Sequence, residues 1–188
     1  MTEMYLYEAS AESQPHTTMD AKEISESLRA FGVVFEQWST PAPSLENITI
    51  DERAPLILET FKTEIGRIRQ EGGYATVDVV SLSNDHPKKA TLREMFIKEH
   101  THSEDEVRFF VSGSGLFVFH FSPTVIMLKT QAGDFISVPK NTSHWFDMGS
   151  EPNFTCIRFF SNQEGWVANY TGSEIATQFP TLDAIGHR

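Results

Sequence analysis

Hydrophobic positions along the chain follow two rhythms, a helical one before residue 73 and a strand-like one after it. Between Asp20 and Phe31 the residues Ile24, Leu28 and Phe31 recur at i, i+4 and i+7. Asp20 followed by Glu23 has the capping-box spacing, and Gly32 is a natural stop, so this segment predicts a helix. From Asp51 to Gln70 the residues Leu58, Phe61, Ile65 and Ile68 step by three, four and three, which draws one apolar stripe and predicts a single long helix ended by Gly72-Gly73. Met4 to Tyr7 reads as a short edge strand and Val33 to Trp38 as another strand.

After Gly73 the sequence turns β-branched and aromatic. Strands are expected at Thr76 to Leu82, Lys89 to His100, Val107 to Ser112, Leu116 to Phe121, Thr124 to Thr130, Phe135 to Val138 and Phe154 to Phe160. Gly113-Ser-Gly115 and Ser122-Pro123 read as the turns between them. Seven short strands joined by brief turns predict a mainly β chain built on a barrel or sandwich, with the early helices packed outside. Ser173 to Gln178 reads as a weak helix stopped by Pro180. There is no repeat and no low-complexity segment.

Composition narrows the function classes. The 188 residues suit one domain, and 39% hydrophobic content with 15 Phe is enough for a core. Lys+Arg 15 against Asp+Glu 26 leaves a charge of −11, which repels phosphate backbones and argues against nucleic acid. The lone Cys156, with Phe154 and Ile157 beside it, reads as a core residue. One cysteine also excludes an internal disulfide and a zinc site of several thiolates. The first twenty residues lack a signal-peptide pattern, and no apolar run approaches the roughly 18 residues that span a bilayer. A cytoplasmic location and no membrane partner are the expectation.

The chemistry concentrates in His100-Thr-His102-Ser-Glu-Asp-Glu106 and in His144. On a strand, residues two apart share a face about 6–7 Å apart, so both imidazoles can converge on one ion. Glu106 follows an acidic turn and can return to that ion, and His144 approaches after Gly133 and Pro139. Three imidazoles and a carboxylate form an N3O set with no thiolate. On an octahedral metal they leave two adjacent positions open to a bidentate substrate or dioxygen. Iron, nickel, copper and zinc all accept these donors. His16, His86 and His187 read as solvated, and His120 as a satisfied histidine of the barrel.

The spacing His-x-His-x3-Glu-x6-Gly from His100 to Gly113, with Gly-x5-Pro-x4-His from Gly133 to His144, resembles the two motifs of the cupin superfamily. Glu94 stands where a Gly is usual, Met148 where an Asn often follows, and Asn141 replaces the second motif's Gly, a change tolerated because Asn accepts positive φ. The likeness is closer to the bacterial-type acireductone dioxygenase family. It spans nearly the whole chain and is densest from Gly73 to Phe179. Its residues are Leu92-Arg-Glu-Met-Phe96, Glu99 to Phe109, Gly133 to Pro139, His144-Trp-Phe146, Arg158-Phe-Phe160, Gly165-Trp166, Tyr170-Thr-Gly172 and Phe179-Pro180.

That resemblance implies a double-stranded β-helix (jelly-roll) cupin barrel. Residues 1–188 would form a single cupin domain, with 1–72 packing on the barrel and 73–180 supplying its core and the metal site. It implies one Fe2+ or Ni2+ per chain on His100, His102, Glu106 and His144. Arg108 and Arg158 would hold an acidic enediol as its anion, and Phe96, Phe146 and Trp166 would line the pocket. The implied substrates are the acireductone 1,2-dihydroxy-3-keto-5-(methylthio)pentene and O2, in a monomer. Family products are formate and 4-methylthio-2-oxobutanoate with Fe2+, and 3-methylthiopropanoate, formate and carbon monoxide with Ni2+. Another single-domain cupin dioxygenase, or a cupin that binds metal or a small ligand without catalysis, carries the same ligand pattern.

Overall fold

Two antiparallel sheets face each other in the computed structural model, which describes residues 1–8, 11–45, 48–162 and 167–186. The strands are β1 (Glu3–Tyr7), β2 (His16–Thr18), β3 (Val34–Gln37), β4 (Thr76–Leu82), β5 (His100–Thr101), β6 (Glu106–Phe121), β7 (Thr124–Gln131), β8 (Asp134–Val138), β9 (His144–Asp147), β10 (Phe154–Phe160) and β11 (Asn169–Tyr170). One sheet runs β11-β5-β9-β6-β7-β1-β2, and the other runs β4-β10-β6-β8-β3. The mainly β expectation holds, with helices on the outside.

β6 belongs to both sheets. Its first half, Glu106 to Phe109, pairs with β8, and Val107 to Gly113 pair with β10. Its second half pairs with β7 and β9. The sequence reading placed a turn at Gly113-Ser-Gly115, but the strand passes through it. Thr155 pairs with Ser112 while Cys156 pairs with Phe110, so β6 carries an extra residue there, a β-bulge. Gly113 has φ +75 and a Cβ on it would lie 1.7 Å from the Asn153 carbonyl oxygen, so only glycine fits the corner. The bulge also flips side-chain parity. Even-numbered Arg108 and Phe110 point between the sheets, and beyond the corner odd-numbered Phe117 and Phe119 do.

The layers follow from this alternation. Between the sheets lie Phe110, Phe117, Phe119, Ile126, Leu128, Phe146, Phe154 and Cys156, closed at one side by Ile24 and Leu28 of α1 (Ala21–Arg29). Cys156 is fully buried, as expected. The outer face of the β4-β10-β6-β8-β3 sheet packs Val107, Phe109, Phe135 and Phe159 against Ile57, Phe61 and Ile68 of the helical segment. The outer face of the other sheet packs Val118, Met127 and Trp145 against Phe179 and Ile185 of the C-terminal tail.

Several elements depart from the sequence reading. The long helix is two, α2 (Ile50–Thr60) and α3 (Lys62–Gly72), broken at Phe61 with φ −101 and ψ 19. The break drives the Phe61 ring edge-on into Phe109 at 4.7 Å, and α2 buries Ile57 more deeply than Leu58. Lys89 to His100 is not a strand. It forms helix α4 (Lys89–Phe96) and then β5, because Ala90, Leu92, Arg93, Glu94 and Met95 are good helix formers and Leu92 and Phe96 share one face. β1 is not an edge, since it lies between β7 and β2. The helix expected over Ser173 to Gln178 is one 3-10 turn, Ile175–Gln178, and it is followed by α5 (Leu182–Ile185) capped by Thr181. α1 keeps its Asp20 cap on the Glu23 amide. The Glu23 carboxylate instead takes Thr18 and His16. No helix among the described residues is long and apolar enough to cross a membrane.

Candidate metal centre

His100 lies directly across from His144 in the β5–β9 pair, and Glu106 opens β6 beside them. The four expected donors, His100, His102, Glu106 and His144, are all buried and offer ligand atoms within 4.8 Å of one another. The three imidazole centroids lie 4.6 to 5.1 Å apart. β5 ends at Thr101, so His102 owes its place to the following bend rather than to a long strand. That bend is held where the Asn141 amide donates to the His102 carbonyl at 2.8 Å, and Asn141 adopts φ 63, the conformation its place in the motif required.

Each imidazole is oriented through its Nδ1. That atom donates to the Lys98 carbonyl in His100 (2.6 Å), to the Val167 carbonyl in His102 (2.9 Å) and to the Thr142 carbonyl in His144 (2.8 Å). With Nδ1 protonated, each Nε2 keeps its lone pair for the centre. Glu106 Oε2 lies 2.8 Å from His144 Nε2 and 3.2 Å from His102 Nε2. Burial, with His144 adjacent, pulls the His100 pKa down to about 4, so this ring is neutral at pH 7. Burial would raise the Glu106 pKa, but Arg108 and the two imidazoles hold it well below the usual carboxylate range. Burial opposes protonation of His102 too, yet the bond to Glu106 leaves its pKa raised. Three imidazole nitrogens and a carboxylate oxygen are the donor set a borderline divalent cation takes, so the residues fit the metal that the sequence implied.

The centre opens into a cavity of about 570 Å3. Arg108 and Arg158 both line it, and they are direct partners across the β6–β10 pair. Arg108 is buried, its Nε 2.7 Å from Glu106 Oε1 and its guanidinium carbon 5.1 and 5.6 Å from the rings of Phe146 and Phe117. Arg108 thus pairs inward, with Glu106. Arg158 engages Asp78 on β4 through two nitrogens and lies over Phe160 at 5.2 Å. Phe96 and Phe146 line the cavity as expected, and Trp166 lies outside the described residues. The sequence reading did not single out Asp78, Met95, Phe160 or Tyr170 for the pocket. For Asp78 there was a signal, a lone charge inside Thr-Val-Asp-Val-Val. Of the remaining histidines, His120 is satisfied by Glu99 at 2.5 Å, His16 is exposed, His86 is half-buried, and His187 lies outside the described residues.

Comparison with known proteins follows the same lines. The ARD/ARD' family matches residues 3–168. The chain is 50% identical over 184 residues to the acireductone dioxygenase of Synechococcus sp., covering 97% of this chain and 99% of that one. It is 47% identical over 185 residues to the acireductone dioxygenase of Aquifex aeolicus, covering 98% of each. Among solved structures it superposes on an acireductone dioxygenase from Bacillus anthracis, with cadmium ion in its active centre. The TM-score is 0.81 at 35% identity, over 90% of this chain and 98% of that one.

Proposed function

The chain belongs to the ARD/ARD' family, and from that premise we propose that it is a metal-dependent dioxygenase that cleaves 1,2-dihydroxy-3-keto-5-(methylthio)pentene with O2 in methionine salvage. The observation that carries the reading is the buried cluster of three imidazoles and one carboxylate beside two inward-facing arginines. His100, His102, Glu106 and His144 would hold one Fe2+ or Ni2+. Bound there, the ion supplies a Lewis acid for the two adjacent oxygens of an enediol.

The protein's own groups do the rest. Arg108 and Arg158 place two positive charges beside the incoming enediol, which lowers its pKa and holds it as an anion. Arg108 is fixed between Glu106 and two aromatic faces, so its charge is already aimed before substrate arrives. Phe96 and Phe146, with Phe160, give the polarisable methylthio end an apolar wall and keep water from the anion. With Fe2+ the products are formate and 4-methylthio-2-oxobutanoate. With Ni2+ they are 3-methylthiopropanoate, formate and carbon monoxide. We read the protein as a cytoplasmic monomer without nucleic-acid or membrane partners, a reading the charge of −11 supports for nucleic acid.

Apoprotein reconstituted anaerobically with Fe2+, and separately with Ni2+, tests this. Acireductone and O2 are added, and loss of the enediol absorbance and the products are followed. Keto acid with iron and carbon monoxide with nickel are expected. No turnover above the metal-free background, despite one bound metal per chain, would move the protein to another cupin dioxygenase or to a metal-binding cupin without catalysis.

A further inference from the structure

We propose that Asp78 is a positioning residue for substrate, acting through Arg158, and this rests on the acireductone reading above. Asp78, Arg158 and Arg108 form one row across three neighbouring strands. Arg158 is the register partner of Asp78 on β4 and of Arg108 on β6. All three line the cavity. Two guanidiniums directly opposed across a strand pair repel each other and cost stability unless something offsets the charge. Arg108 is held by Glu106 and by the faces of Phe117 and Phe146. Arg158 is the less enclosed of the two, 29% exposed, and Asp78 engages it two-toothed, Oδ1 to Nε at 2.9 Å and Oδ2 to a terminal nitrogen at 2.6 Å.

A two-toothed carboxylate fixes the plane of a guanidinium as well as its position. Asp78 is itself 47% exposed, and an ion pair so open to water adds little to stability. Its neighbours Val77 and Val79 point the other way into the apolar layer against the helices. The carboxylate at this position therefore fills no core. Its contribution is to hold Arg158 over the Phe160 ring and within the cavity that Arg108 also lines. Without Asp78 this two-toothed hold is lost, and an incoming enediolate meets one cation fixed by Glu106 and one whose plane Asp78 no longer sets.

Steady-state kinetics of the iron-loaded wild type, Asp78→Ala, Arg158→Ala and the double variant test this, with metal content measured for each. Asp78→Ala is expected to raise KM about tenfold with kcat lowered less than about threefold, the signature of lost binding rather than lost chemistry. Metal content stays at one per chain. The double variant is expected to match Arg158→Ala alone, because Asp78 has nothing left to position. KM within about twofold of wild type, or additive losses in the double variant, would overturn the proposal. Asp78→Asn, nearly the same shape, serves if Asp78→Ala does not fold, with the same criteria. Absence of turnover in the wild type would instead overturn the substrate reading on which the proposal stands.

Discussion

Gly115 lies under the ring of Phe146, and a Cβ built there would come within 2.3 Å of the ring's Cζ. That ring both lines the cavity and supports the Arg108 guanidinium. Gly115→Ala must therefore displace the Phe146 ring, and with it the wall of the cavity and the support of Arg108. Overpacking of this kind costs roughly 1–3 kcal/mol, to be read from a urea midpoint, and KM should rise in parallel. Unchanged KM in a destabilised variant would separate the Phe146 wall from substrate binding. At this scale the sequence was most informative where chemistry is dense. The cluster of His100, His102, Glu106 and His144 was legible from its spacing, while Arg108, Arg158, Phe96 and Phe146 were reached only through the family resemblance. Asp78 showed only as a lone charge in an apolar strand, since its meaning comes from the β4–β10 register, which brings it to Arg158, 80 positions away.

Elements were legible where one rhythm dominates and illegible where two compete. α1 and most strands of the two sheets show a single period. Lys89 to His100 mixes helix-forming residues with an apolar run that leads into β5, and the helix wins for its first eight residues. β6 defeats a turn rule, because a glycine pair that normally reverses a chain here bends one strand from sheet to sheet. α5, four residues long, has too little sequence to show a period. Its place is set by charge. Arg93 of α4 reaches both Asp147 on β9 and Asp183 on α5, and Asp147 also accepts from the Leu182 amide at 2.8 Å. Burial alone would raise the Asp183 pKa, but the Ser150 amide and Arg93 outweigh it and leave it below its ordinary value of 3.8. A depressed carboxylate contributes stability above its unfolded pKa and loses it as pH falls through the folded one. Asp183→Asn should therefore be less stable than wild type near neutral pH, and the difference should shrink to nothing in acid below the ordinary carboxylate range. Denaturation midpoints at several pH values check this, and a difference that persists unchanged in acid would assign the effect to packing.

Across the whole molecule the candidate centre draws its donors from β5, the bend after it, β6 and β9, and β6 ties both sheets together. A metal there binds only the assembled fold. Saturation at about 100 times the dissociation constant adds about 2.7 kcal/mol, which for a chain this long is about 5 to 10 °C in Tm. Because one strand runs through both layers, tryptophan fluorescence and far-ultraviolet dichroism should report one coincident transition; separated transitions would show that the sheets melt independently. The single thiol has a consequence of another kind. Cys156 is sealed between the sheets, and burial pushes its pKa up to about 12. Toward thiol reagents the folded chain thus behaves as though it had no cysteine. A new cysteine at an open position such as Val34 would be its one addressable sulfur, a place to attach a spin label or dye and measure distances to the centre without background.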